Sequence, residues 1–218
     1  MTLTLVIGNK NYSSWSMRPW LALKAAGIAF DERFIPLYTG EADKKRILEV
    51  TRSGKVPALI DGDVTVWDSL AIIEYVAERF PEAGIWPKDS ASRAHARSVS
   101  AEMHSGFAAL RNECGMNLHR PVRANPLSDS ARADIARVQE LWSDCRARYG
   151  KGGPFLFGAF TGADAMYGPV VHRFRTYAIE VTPAARAYMD AMMAHPAFQQ
   201  WTREGLAETL TIEKFEAD

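Results

Sequence analysis

Residues 55–75 have the sequence KVPALIDGDVTVWDSLAIIEY. Two apolar runs, VPALI and VTVW, flank Asp61-Gly62, which is typical of a tight turn with positive φ angles. We therefore predict an antiparallel hairpin closed by a type I′ turn at Asp61-Gly62. The apolar residues that follow recur on one helical face, and Asp68 or Ser69 is available as the N-cap. The stretch predicts a ββα unit.

A βαβ unit is predicted upstream of this hairpin. Residues 2–7 (TLTLVI) form a strand candidate, and a helix follows from residue 14 to about 26. Gly27 is a suitable residue to end that helix. A second strand is expected over 29–35, with a right-handed crossover, and a short polar helix over 41–50. Together with the ββα unit this predicts an α/β domain over residues 1–81.

The chain lacks convincing strands after Pro87. Helical patterns are predicted over residues 90–120, 128–149, 162–180, 183–195 and 198–208. Thr161 and Asp164 have the spacing of a capping box at the start of the third of these helices. We therefore expect an all-α domain over residues 88–218.

Composition excludes several classes of function. The 218 residues include 26 basic and 26 acidic residues, which argues against a nucleic-acid groove or a patch for anionic membranes. No apolar run approaches the roughly 18 residues of a membrane span. The two cysteines form no CxxC pair and are expected to be reduced thiols of a cytoplasmic protein. The five histidines lack metal-ligand spacing, so no metal site is expected.

Four stretches, in this order along the chain, carry a resemblance to a known family. The first, SSWSMRPWLAL from Ser13, resembles the zeta-class glutathione transferase signature SSCSWRVRIAL, although Trp15 stands where that signature has cysteine. The others are SGKVPALIDGDVTVWDSLAIIEY from Ser53, FTGADAMYGPVV from Phe160 and HPAFQQW from His195. The chain thus resembles a cytosolic glutathione S-transferase, a zeta-like, serine-type bacterial member. This implies a thioredoxin-like N-terminal domain, an all-α C-terminal domain, glutathione as co-substrate and a homodimer.

A hydroxyl group at the start of the first helix is the expected activator of the glutathione thiol. A helix N-terminus favours an anion, and one charge-assisted hydrogen bond of about 1.5–3 kcal/mol lowers a thiol pKa by roughly one to two units. By the resemblance, Ser13 is the predicted donor, with Ser14 next and Ser16 third. Tyr12 is a rival, because some classes of the family use a tyrosine there. The residues alone favour serines that cap the helix or form turns, and the other motifs of the resemblance reverse that order for Ser13 and Ser14.

The resemblance also implies the residues that hold glutathione. Pro57 is the expected cis-proline, which turns the backbone of Val56 outward to pair with an extended peptide. Asp68 and Ser69 are expected to hold the γ-glutamyl group, although the family more often has Glu or Gln at position 68. Lys55 is a candidate for the glycyl carboxylate, and a solvated surface lysine is the alternative.

The electrophile pocket is expected in the helical domain. Met103, Phe107 and Arg111 are the candidate pocket residues. Met103 and Phe107 share an apolar stripe with Cys114, and such a stripe is also typical of a protein core. Arg111 is a candidate for attracting an anionic substrate.

The expected reaction is conjugation of the glutathione thiolate to an electrophilic hydrophobic substrate. Two other glutathione-dependent reactions remain as alternatives: cis–trans isomerisation of the maleylacetoacetate type, and peroxide reduction. A third alternative is a scaffold that binds glutathione without turnover. Conjugation, isomerisation and peroxide reduction each require an activated thiol, whereas a scaffold does not.

Overall fold

The computed structural model describes residues 2–38 and 40–216. A four-stranded mixed sheet forms the centre of the N-terminal domain, in the order β2-β1-β3-β4. The first pair is parallel and the other two pairs are antiparallel. The strands are β1 Leu3–Ile7, β2 Phe30–Phe34, β3 Ala58–Asp61 and β4 Val64–Trp67. The predicted βαβ and ββ units are both present.

Within the described residues, three helices accompany the sheet and six more follow it. The first three are α1 Ser14–Ala25, α2 Glu41–Val50 and α3 Ser69–Arg79. The others are α4 Ser90–Ser105, α5 Ala108–Glu113, α6 Asp129–Tyr149, α7 Gly162–Thr176, α8 Pro183–Ala194 and α9 Pro196–Leu206. Short 3₁₀ turns cover Pro81–Ala83 and Glu213–Phe215. The structure is therefore an α/β N-terminal domain joined to a helical C-terminal domain, as predicted. Residues 1, 39, 217 and 218, which the predicted domain ranges include, lie outside the described residues.

Two local predictions were wrong. The hairpin turn consists of Gly62 and Asp63, because Asp61 still pairs with Val64 in the ladder. Of the two turn residues, only Gly62 has a positive φ, 59°, so the predicted type I′ turn at Asp61-Gly62 does not form.

The single helix predicted over residues 90–120 is interrupted. Gly106 donates its N–H to the carbonyl of Glu102 and closes α4, and Phe107 has a left-handed φ of 57°. The Phe107 side chain is nevertheless buried in the core. A left-handed conformation is unfavourable for a bulky residue, and burial of the aromatic ring offsets that cost. The chain resumes as the short helix α5.

Helix α1 is the element on which both domains pack. It contacts β1 and α3 on one side and α7 and α9 on the other, and its residues from Ser16 to Leu23 are buried. Gly168 of α7 allows the close approach, since a Cβ atom there would lie 2.5 Å from Cδ1 of Leu21. Within the described residues, no helix is long and apolar enough to cross a membrane.

The start of α7 is fixed by the predicted capping box. Asp164 is fully buried, and its Oδ2 accepts hydrogen bonds from the Thr161 N–H at 2.8 Å and the Thr161 hydroxyl at 2.9 Å. Its Oδ1 accepts from the N–H of Leu156 at 3.0 Å. One carboxylate thus satisfies two buried amides and connects α7 to the preceding loop.

We expect Asp164→Ala to lower the free energy of unfolding by about 3 kcal/mol. The reason is that the substitution leaves the Leu156 and Thr161 amides buried without acceptors. Urea unfolding of the variant measures the loss. Asp129→Ala is the matched control, because the Asp129 side chain is 99% exposed at the start of α6, and a change within about 0.5 kcal/mol is expected. Equal effects of the two substitutions would contradict this role of Asp164.

Candidate active site at the start of helix α1

A cavity with two adjoining lobes lies at the first turn of α1. The larger lobe has a volume of about 770 Å³ and the smaller one about 470 Å³. Trp15, Lys55 and Val56 line both lobes, so the two form one elongated site. The larger lobe extends to α5, α7 and Phe215, whereas the smaller one extends to the start of α3.

Ser13 is the N-cap of α1, and its hydroxyl is engaged within the helix. Its Oγ accepts from the N–H of Ser16 at 3.3 Å and donates to Oγ of Ser16 at 2.7 Å. Ser16 is itself buried and accepts from the N–H of Gly8 at 3.1 Å. Ser13 lines the larger lobe, but Ser16 does not. The third predicted donor, Ser16, therefore serves the connection between β1 and α1.

Ser14 presents a hydroxyl to the larger lobe with its proton uncommitted. Its Oγ accepts from Nη2 of Arg173 at 3.3 Å, and within residues 2–38 and 40–216 it donates to no acceptor. Arg173 is held in place because its Nη1 also donates to the backbone carbonyls of Arg111 and Cys114. Since a hydroxyl can accept and donate at the same time, Ser14 can donate to a ligand while Arg173 holds it.

Tyr12 lines the larger lobe, but its hydroxyl is engaged by the C-terminal segment. It donates to the carboxylate of Glu216 and accepts from the N–H of Ile212 at 3.3 Å. Burial and the hydrogen bond to Glu216 raise the pKa of Tyr12. Phe215 stacks on the Tyr12 ring, with centroids 5.6 Å apart. Tyr12 thus fixes residues 212–216 over one side of the cavity rather than presenting a free hydroxyl.

The smaller lobe is built around the start of α3. Asp68 has a φ of 77°, an unfavourable conformation for a residue other than glycine, and caps α3 through Oδ1, which accepts from the N–H groups of Leu70 and Ala71. Its Oδ2 lies 3.1 Å from Nε2 of His104 on α4. Ser69 is buried, and its Oγ has no hydrogen-bond partner among the described residues. An unpartnered buried hydroxyl at a helix start fits a polar ligand group.

The backbone at the junction of the lobes is also available to a ligand. The Val56–Pro57 peptide bond is cis, as predicted, and Pro57 lies immediately before β3. Neither the N–H nor the C=O of Val56 makes a hydrogen bond to the described part of the chain. Lys55 is exposed at the border of both lobes.

Positive charge dominates the larger lobe. Its charged lining residues are Asp43, Lys44, Lys55, Arg111 and Arg173. Neither arginine forms an ion pair with a carboxylate in the described ranges. Burial lowers the pKa of Arg173 to about 10, which leaves it charged at neutral pH. The lobe therefore favours an anionic ligand.

Trp15 separates the two lobes and packs against charged side chains. The guanidinium carbon of Arg18 lies 4.1 Å from the Trp15 ring centroid, and that of Arg111 lies 5.3 Å from it. The His104 ring meets Trp15 edge-on at 5.3 Å. Such cation–π contacts hold the two arginines beside the site.

The three predicted pocket residues of the helical domain occupy different environments. Arg111 lines the larger lobe, whereas Met103 and Phe107 are only 1% and 7% exposed in the core and line neither lobe. Their apolar stripe faces the interior of the helical domain, so both are corrected to core residues. Cys114 is buried as well, and burial raises its thiol pKa to about 11, which keeps the thiol protonated.

Sequence reasoning missed Arg18 and Arg173. Both are almost completely buried, and no local pattern distinguishes a buried arginine from a solvated one. The sequence held one signal, and it concerned Arg18 only. Arg18 lies four residues after Ser14 and therefore on the same face of α1. Among the described residues, no group of three or more His, Cys, Asp or Glu side chains could hold a metal ion.

Two family models match the chain. One, described as the N-terminal domain of glutathione S-transferase, matches residues 12–79, and the other, its C-terminal domain, matches residues 94–204. Together they cover most of the chain. They also include every residue that lines the cavity except Phe215.

Individual relatives agree with these family models. A probable maleylacetoacetate isomerase of Caenorhabditis elegans is 40% identical over 100 residues, which are 45% of each chain, so the match spans less than half of that relative. The maleylacetoacetate isomerase of Pseudomonas aeruginosa is 29% identical over 88% of this chain and 91% of its own. A glutathione transferase homologue from Burkholderia, crystallised with bound glutathione, superimposes with a TM-score of 0.73 at 25% identity, over 95% of this chain and 100% of its own.

We expect Tyr12→Phe to accelerate hydrogen exchange at the Ile212 amide by at least about fivefold. The amide loses an acceptor that contributes about 1 kcal/mol, and Glu216 loses its hydroxyl donor. Mass spectrometry of peptides spanning the segment measures this exchange. Tyr75→Phe is the control, because the Tyr75 hydroxyl donates to Asp61 and not to residues 212–216. Unchanged exchange in Tyr12→Phe would show that the hydroxyl does not fix the segment.

Proposed function

Because the chain belongs to the glutathione S-transferase family, we propose that it binds glutathione in the two-lobed cavity and favours the ionised form of its thiol. The thiol proton leaves to solvent, and the thiolate then forms a C–S bond to an electrophilic carbon of a hydrophobic substrate while that carbon's leaving group departs with its bonding electron pair. The observation that carries this proposal is a set of polar groups along the cavity that still have hydrogen bonds to offer. Within the described residues, the buried Ser69 hydroxyl and the backbone of Val56 have no partner, and the Ser14 hydroxyl has no acceptor for its proton.

Each part of glutathione has a complementary group in the cavity. The Ser69 hydroxyl at the start of α3 suits the γ-glutamyl carboxylate, and Asp68 suits its ammonium. The N–H and C=O of Val56 suit the cysteinyl backbone, as in addition of a strand. Lys55 at the border of the lobes suits the glycyl carboxylate. This arrangement leaves the thiol at the first turn of α1.

We propose Ser14 as the donor to the thiolate, with Ser13 as the alternative. The Ser14 proton is uncommitted and its oxygen accepts from the positively charged Arg173, which strengthens the hydroxyl as a donor. The Ser13 hydroxyl donates within the helix start and would have to rotate to reach a ligand. The positive end of the α1 dipole adds to either hydrogen bond.

The protein is further proposed to be a cytoplasmic homodimer. The family implies the dimer, and exposed apolar side chains on the edge strand β4 support it. Trp67 is 50% exposed there and Val64 46%. Two buried, unpaired cysteines are compatible with a reducing compartment.

A second candidate reaction is glutathione-dependent cis–trans isomerisation of an anionic substrate. Arg111 and Arg173 line the larger lobe and have no carboxylate partners in the described residues. In addition, two of the relatives are named as maleylacetoacetate isomerases, one of them as probable. In such a reaction the thiolate adds to one carbon of a double bond, the resulting single bond rotates, and the thiolate leaves again. The guanidinium groups hold the substrate carboxylates during the rotation.

We expect the protein to lower the pKa of bound glutathione by at least one unit, and Ser14→Ala to reverse most of that shift. One charge-assisted hydrogen bond accounts for about one to two pKa units. The ultraviolet difference spectrum of the thiolate, recorded across pH 5–9, measures the pKa. Ser13→Ala is the matched variant, and a smaller effect is expected from it.

The outcomes of this titration separate the proposals. If Ser13→Ala has the larger effect, the donor is Ser13, as the sequence resemblance predicts. Glutathione that binds with an unshifted thiol pKa would favour the non-catalytic scaffold. Absence of binding would refute the proposed function altogether.

Arg111→Met is expected to raise KM for a dicarboxylate electrophile about tenfold, because one charge-assisted hydrogen bond to a carboxylate is lost. KM for a neutral aromatic halide is expected to remain within about twofold. Steady-state kinetics with both electrophiles measure the difference. Arg186→Met on the surface of α8 is the control for loss of one positive charge. A parallel rise in both KM values would argue against a carboxylate site at Arg111.

A further inference from the structure

Arg18 is a buried cation without a hydrogen-bonded partner for most of its guanidinium group. The side chain is 1% exposed, and within residues 2–38 and 40–216 neither Nε nor Nη1 has an acceptor. No carboxylate of those residues lies within ion-pair distance of it. An unpaired buried charge destabilises a protein by several kcal/mol, so its presence calls for a physical reason.

The surroundings of Arg18 do not supply that reason. Among the described residues, the strongest electrostatic influences on Arg18 come from Arg173 and Tyr167 on α7, Arg111 on α5, and Asp68 before α3. Two of these are positive and add repulsion, and Tyr167 is kept neutral because burial raises its pKa. Asp68 is the opposing charge among these four groups, and its carboxylate already caps α3 and contacts His104. Burial and repulsion lower the pKa of Arg18 to about 9, which leaves it charged at neutral pH.

Helix geometry directs this charge towards the active site. Side chains of an α-helix incline towards its N-terminus, so the Arg18 guanidinium lies over the first turn of α1. The contact with Trp15, at 4.1 Å from the ring centroid, confirms that position, and Trp15 lines both lobes of the cavity. The charge therefore lies behind the wall of the cavity, at the helix end where the proposed function puts the thiol.

We propose that Arg18 is a positioning residue for the thiolate: its buried, unpaired charge favours the anionic form of the thiol bound at the start of α1, and it holds Trp15 against that site. The thiol releases its proton to solvent, and the sulfur anion then compensates the charge of Arg18. In a medium of low dielectric constant, an opposite charge acts strongly even without direct contact. This inference rests on the proposed function, and it gives the activation of the thiol a second source besides the serine hydroxyl.

The proposal predicts that replacing Arg18 affects protein stability and thiol ionisation differently: the ligand-free protein keeps or gains stability, whereas the bound thiol ionises less readily. Replacing an unpaired buried charge by an apolar side chain of similar length is neutral or stabilising. Arg18→Met is therefore expected to keep or raise the Tm of the ligand-free protein. In the same variant, the pKa of bound glutathione is expected to rise by about one unit, a tenfold loss of thiolate at a given pH.

The test compares the full-length wild-type protein with Arg18→Met, Arg18→Lys and Arg175→Met. Ultraviolet titration of bound glutathione gives the thiol pKa, and calorimetry with S-methylglutathione gives the affinity for a ligand that has no ionisable thiol. Arg18→Lys is expected to retain at least half of the pKa shift, because it keeps the charge. Arg175→Met removes an exposed arginine of α7 and is expected to leave the pKa unchanged.

Support consists of a raised thiol pKa in Arg18→Met together with S-methylglutathione affinity within about twofold of wild type. A thiol pKa as low in Arg18→Met as in wild type overturns the inference and leaves the proposed function standing. A marked fall in Tm together with loss of S-methylglutathione affinity also overturns it, because Arg18 is then a structural residue. If the wild-type protein itself leaves the thiol pKa unshifted, the proposed function fails first and the inference fails with it.

Discussion

Helix α1 is surrounded by packed structure along its length, and its first turn faces the cavity. The sheet and α3 contact it from one domain, and α7 and α9 from the other, with Gly168 permitting the close approach of α7. Because both domains pack on the same helix, its first turn cannot shift without disturbing the core. The amides and hydroxyl groups of that turn are therefore in place before a ligand arrives, which is the condition for electrostatic preorganisation.

The distribution of charge around this helix is uneven. Lys10, in the loop before α1, is buried but its charge is compensated. The carboxylate of Glu32 lies 2.6 Å from its ammonium group, and Glu204 of α9 also contacts it. The ion pair with Glu204 joins the two domains, and the ion pair with Glu32 lies within the N-terminal domain. The arginines at the cavity have no such partners among the described residues. The same fold thus neutralises buried charge where it connects domains and leaves it uncompensated where a ligand is expected, at a cost to stability.

Local rules in the sequence predicted much of this architecture. Asp68 caps α3 as expected, Thr161 and Asp164 form the expected capping box of α7, and the cis bond before Pro57 was inferred from the resemblance. The break at Phe107 was not predictable, because the apolar stripe continues across it and the energy that offsets the left-handed conformation comes from tertiary packing. The environments of Arg18 and Arg173 were hidden for a similar reason. Arginine side chains are usually exposed, but the packing of elements far apart in the sequence buries these two.

The bond between Tyr12 and Glu216 joins positions that are 204 residues apart. On a ribosome the residues of the first α/β unit emerge long before the segment that covers the cavity, so an early sheet and α1 have an open, partly formed groove. Only after the helical domain has packed on α1 can residues 212–216 reach Tyr12. A small molecule that requires the covered cavity would therefore stabilise the completed chain selectively and would give nascent or truncated chains little protection from proteolysis.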